Sequence, residues 1–137
     1  MSANTNTINS SDPDNGGVTP AVDFGQLQSA CDADADVMRE LMDLYLQQAG
    51  EILAGLEKAI NGNAVADVKH FAHKLAGSSL ACGMSAVVPS LRHLEGAAKA
   101  GHLIGAHESL ADLSAQMEVV RRHVQEYLLH YPAQTKD

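Results

Sequence analysis

Apolar residues are sparse in the first twenty positions, MSANTNTINSSDPDNGGVTP, and then recur at helical spacing almost to the end of the chain. A stretch rich in Asn, Ser, Thr, Gly, Pro and Asp buries too little to offset chain entropy, so residues 1–20 are expected to form a disordered polar tail. Phe24, Leu27 and Cys31 then share one side of a short helix, DFGQLQSACD. Asp34 and Asp36 follow, acidic residues suited to the positive end of a helix. Behind them Met38, Leu41, Met42, Tyr45, Ala49, Ile52, Leu53, Leu56 and Ile60 make one long apolar stripe, which Asn61, Gly62 and Asn63 stop.

A third helix is expected from about Ala64 to Cys82, ended by Gly83. Ser85 can cap a fourth, with Val88, Leu91, Leu94 and Ala98 inward, Pro89 near its first turn and Gly101 closing it. The last should run from roughly Leu103 to Tyr131. Its apolar positions Leu103, Ala106, Leu110, Leu113, Met117, Val120, Val124 and Leu128 alternate steps of three and four, the seam of a bundle. Nothing reads as a strand. The fold class is therefore all-α: an antiparallel up-down-up-down four-helix bundle with a short extra N-terminal helix over one end. The expected organisation is a polar tail at 1–20, the bundle at 22–131 and a polar C-terminal tail at 132–137.

Composition narrows the partners. The 137 residues include no Trp, two Phe and three Tyr, so the core must be aliphatic, which suits packed helices. The net charge of −8 opposes sequence-independent nucleic-acid binding and an anionic membrane surface, both of which need clustered cations. Cys31 and Cys82 have no metal-ligand spacing and read as buried thiols of a reducing compartment rather than a disulfide. With no signal pattern and no apolar run of membrane length, a soluble cytoplasmic protein is expected, and a monomer.

One segment carries more than packing: FAHKLAGSSLACGM, residues 71–84. At about 100° per residue, Ala64, Val68, Phe71, Ala72, Ser79 and Cys82 fall within roughly 60° of Leu75 and form the core face. His73 lies about 160° from Leu75, on the solvent side, with Lys69, His70 and Gly77. Ala76 and Leu80 border that outer face. A mid-helix Gly costs about 1 kcal/mol against Ala. Beside an exposed histidine it leaves a dent where another molecule's backbone can approach. His70, Ala76 and Leu80 are the expected docking residues around it.

A neutral imidazole nitrogen is a competent nucleophile near neutral pH. The chain has no phosphate-binding loop and no second carboxylate cluster for magnesium, so it cannot bind and split ATP by itself. If His73 carries phosphate, a partner supplies the metal and the electrophile.

These residues closely resemble the signature of histidine-containing phosphotransfer (HPt) domains, A-H-x-L-K-G-S/A-S/A followed by three variable residues and G-A. Ala72, His73, Leu75, Gly77, Ser78, Ser79 and Gly83 match in place, and LRHLEGAAKAG after them is similar to the family's L-x-x-x-L-E segment. The resemblance spans about residues 22–130. It implies a phosphorelay intermediate, not an enzyme, with no cofactor of its own. His73 would accept a phosphoryl group from a receiver-domain aspartate and pass it to a second response-regulator receiver, working with a hybrid sensor histidine kinase. Magnesium would sit in the receiver. One position departs: Ala76 stands where the family commonly has Lys. Lys69 or Lys74 could supply the missing charge. Gly77 and Ser78 complete the expected phosphate environment, whereas Ser79 points inward and reads as packing.

Two other readings stay open. His70 and His73 lie one turn apart and could begin a metal site, although no cysteine or carboxylate shares their helix face. The same face could also dock a partner without phosphate. Met1 followed by a polar tail suits a free-standing protein, and a domain cut from a hybrid kinase would look the same.

Overall fold

The computed structural model describes residues 21–130. The tails expected at 1–20 and 132–137, and Tyr131, lie outside the described residues. Five α-helices follow in order: α1 (Phe24–Ala30), α2 (Ala35–Asn61), α3 (Val65–Ala81), α4 (Val88–Lys99) and α5 (Ala106–Leu129). No strand occurs among the described residues.

Local chemistry sets most boundaries. The Asp34 carboxylate accepts from the Asp36 and Val37 amides at 2.9 and 3.1 Å, satisfying donors that α2 itself leaves open. Asp23 caps α1 in the same way, accepting from the Gln26 amide at 3.0 Å. Pro89 sits in the first turn of α4, where its missing N–H costs nothing. The Ser85 cap is not used: residues Ser85–Val87 wind instead as a 3-10 turn leading directly into α4. The last helix begins at Ala106 rather than Leu103, because Gly105 before it adopts φ +77°. α1 ends at Ala30, and Cys31 caps it rather than extending it.

α2 to α5 pack in a closed square, each against its two chain neighbours and α5 back against α2. The aliphatic seams meet inside, with Met38, Met42, Leu56, Leu75, Leu91, Leu94, Leu113 and Val120 almost fully buried. Burying an aliphatic side chain contributes about 1.5–3 kcal/mol, and this interior is the main source of stability. Both cysteines are free and buried. No helix among the described residues is long and apolar enough to cross a membrane.

α1 lies over one end of the bundle and is held there by polar contacts. The Asp23 amide donates to the Gly83 carbonyl at 2.7 Å, and Gln26 Nε2 donates to the Ala81 carbonyl at 3.2 Å. Gln28 Nε2 donates to the Tyr127 hydroxyl at 2.6 Å, and the Phe24 ring stacks on Tyr127 with centroids 4.1 Å apart. Gly83 has φ +77°, and a Cβ there would collide with the Asp23 carbonyl oxygen. The glycine that ends α3 is therefore also the seat of α1.

Candidate functional site

α3 presents one face to the core and another to solvent. Val68, Ala72, Leu75 and Ser79 are buried, as the wheel requires. Ser79 is polar and fully buried, and its hydroxyl pairs with the Tyr45 hydroxyl of α2 at 2.7 Å. Burial pushes the Tyr45 phenol up to about 12, partly offset by that hydrogen bond. Phe71 is only half-buried and lies against Gly55 of α2.

The His73 side chain is 71% exposed, on the face opposite this core. Lys69, His70 and Lys74 line the same shallow depression, with Ala66. Gly77 is exposed, and a Cβ there would meet nothing within 4 Å. The fold thus makes no demand for glycine at this position. Leu80 is 51% exposed at the far end of the face.

Two expected site residues fall elsewhere. Ala76 is completely buried and cannot touch a partner. α3 and α4 are the most intimately packed pair, and α4 covers the flank of α3 that the single-helix wheel left at the edge of the solvent face. Ser78 is half-buried on the α2 side, lining a groove with Leu44, Gln48 and Ala81, away from the flank where His73 meets α4.

The structure adds two residues that the sequence reading did not single out. Glu95 of α4 is buried, with a side chain 8% exposed, and its Oε2 lies 2.7 Å from His73 Nδ1. Its Oε1 accepts from Arg92 Nη1 at 2.8 Å. Burial by itself would raise this carboxyl, but the hydrogen bonds and charges of Arg92 and His73 outweigh it and hold the group below the ordinary glutamate range. Glu95 is therefore a carboxylate near neutral pH and can only accept. Nδ1 must then carry the proton that it donates. In the neutral ring this leaves the lone pair on Nε2, for which no hydrogen-bond partner is found among the described residues. A signal for Glu95 was present: it falls in the apolar seam of α4 between Leu91 and Ala98, where an acid needs a partner.

Among the described residues, no group of three or more His, Cys, Asp or Glu side chains is placed to hold a metal ion. The His70 and His73 pair thus gains no third such ligand among the described residues.

His73 is thus an exposed histidine with one nitrogen oriented by a buried acid, on the flank of a four-helix bundle. The model of the Hpt domain matches residues 40–123, and the chain belongs to that family. Hpt domains are phosphocarriers of phosphorelays rather than kinases, and they interact with receiver domains and kinases in two-component signalling. Among solved structures, the chain is similar to histidine-containing phosphotransfer protein B (HptB) from Pseudomonas aeruginosa PAO1. That likeness has a TM-score of 0.76 at 23% identity, covering 84% of this chain and 100% of that one. Comparison with curated proteins gives no match.

Proposed function

We propose that His73 is the phosphoacceptor of a phosphorelay intermediate, which takes the group from one receiver-domain aspartate and delivers it to another. The observation that carries this reading is the His73 to Glu95 contact at 2.7 Å. It orients the ring, keeps the proton on Nδ1 and leaves Nε2 as the nucleophile at the surface.

In the forward step the Nε2 lone pair attacks the phosphorus of an aspartyl phosphate. The N–P bond forms, the acyl O–P bond breaks, and the aspartate leaves as a carboxylate. No proton has to be removed from Nε2. The positive charge that develops on the ring is shared with Nδ1–H, which donates to the Glu95 carboxylate. Return of the group to a second aspartate is the same step reversed. Lys69 and Lys74 supply mobile positive charge around the phosphoryl oxygens, and Gly77 gives clearance for the receiver backbone. Leu80 and His70 lie at the rim of the docking face. A hybrid sensor kinase, through its receiver domain, is the proposed donor class.

The test is phosphoryl transfer from a labelled phospho-receiver to the wild-type chain and to His73→Gln. Acid-labile, base-stable label is expected on the wild type alone. Equal labelling of the variant overturns the assignment of His73. Label on neither, with receiver binding retained, supports a docking module that works without phosphate.

A further inference from the structure

Glu95 does two things that oppose one another. By accepting from Nδ1 it orients the His73 ring, but a carboxylate at this distance also favours the imidazolium form of its partner. An imidazolium has a proton on Nε2 and no lone pair there, so it cannot attack phosphorus. A buried acid paired with His73 alone would suppress the nucleophile it positions.

Glu95 is not paired with His73 alone. Arg92, one turn earlier on α4 and 45% exposed, occupies the second carboxylate oxygen at 2.8 Å. Its guanidinium is charged at every relevant pH. Among the described residues, the other titratable groups lining the His73 depression are Lys69, His70 and Lys74 of α3. α2 packs on another side of α3 and places no charged residue in that depression. Arg92 is the cation bonded directly to the acid that touches the ring.

We propose that Arg92 is a positioning residue: it neutralises Glu95 through one oxygen, so that the other can orient His73 without holding the ring in the imidazolium form. The proposal deepens the reading of His73 as a nucleophile and rests on it. Arg92 acts through Glu95 and need not touch the phosphoryl group.

Diethyl pyrocarbonate tests this without any receiver, because it acylates neutral imidazole nitrogen. Its rate at His73, located by tandem mass spectrometry in the full chain, is followed against pH. In Arg92→Gln the midpoint of the His73 profile should move up by about half a pH unit or more. The plateau rate at high pH should stay within about two-fold of wild type, since the neutral ring is the same species. Arg92→Lys should restore much of the shift, and Glu95→Gln should move the midpoint below wild type. The exposed His123 of α5, outside this cluster, serves as an internal control and should not respond. An unchanged His73 midpoint in folded Arg92→Gln, verified by circular dichroism, overturns the proposal. A shifted profile without phosphoryl transfer would instead remove the proposed function and leave the Arg92 role standing.

Discussion

The contact between His73 and Glu95 carries a pH signature of its own. The folded-state value of Glu95 is lowered from the usual 4.5, the hydrogen bonds from Arg92 and His73 having overcome its burial. A group depressed in this way contributes stability that is complete above its unfolded value and is lost as pH falls through its folded value. Urea midpoints measured from neutral pH downward should therefore decline less steeply below about pH 4.5 in Glu95→Gln than in the wild type. Parallel slopes would mean that Glu95 is not held as a carboxylate. In transfer assays Glu95→Gln should be slower than wild type, since a neutral amide stabilises the charged ring poorly. At this scale the sequence placed the histidine correctly and missed its partner. His73 and Lys69 are separated by one turn of a single helix, so a wheel finds them. Glu95 lies on another helix, and only the angle at which α4 meets α3 decides which of its side chains reaches the ring.

α3 combines a core-facing side with an exposed side that carries His73, and the two should separate on mutation. Nothing occupies the space beside Gly77, so Gly77→Ala removes the entropic cost of glycine without a clash. The variant should gain up to about 1 kcal/mol and melt several degrees higher. Gly77→Leu should fold and yet transfer poorly, because its side chain would fill the clearance proposed for a receiver's backbone. Transfer at the wild-type rate would show that the dent has no role. Gly83 behaves in the opposite way. Its positive φ and the Asp23 carbonyl pressed against it make Gly83→Ala destabilising by at least about 1–3 kcal/mol, measurable by urea denaturation. Tyr45 joins α2 to α3 at Ser79, and its phenol is pushed up to about 12 by burial. The folded state therefore holds that proton longer than the unfolded chain. Its contribution to stability is present up to about pH 10 and lost as pH rises toward 12. The helices and the Asp34 cap of α2 were legible because capping and periodicity are local. The start of α5 and the 3-10 turn before α4 were not, because glycine conformation and the packing of a connection depend on what surrounds them.

Across the whole molecule charge is distributed unevenly. The chain has nine Lys and Arg against seventeen Asp and Glu, yet Lys69 and Lys74 both line the depression around His73, and Arg92 offsets the charge of Glu95 beside it. A local cationic site on an anionic molecule favours approach of an anionic phosphoryl group while the rest repels non-specific polyanions. Lys69→Gln with Lys74→Gln should lower kcat/KM for transfer several-fold and weaken its dependence on salt, with the rate at saturating receiver less affected. Equal loss at all receiver concentrations and salt levels would point to a structural effect instead.

The order of the helices, the aliphatic core, the exposed place of His73 and the openness beside Gly77 follow from the chain alone, because each depends on neighbours three or four residues apart. Tertiary packing decided the rest. Ala76, which a single-helix wheel leaves at the border of the solvent face, is sealed by α4. The same close approach brings Glu95, 22 positions further on, to the ring, with Arg92 bonded to its other oxygen. A helical wheel states the angle of each side chain around one axis. Which angles are covered, and which side chains meet across the gap, is set only when a second helix docks against the first.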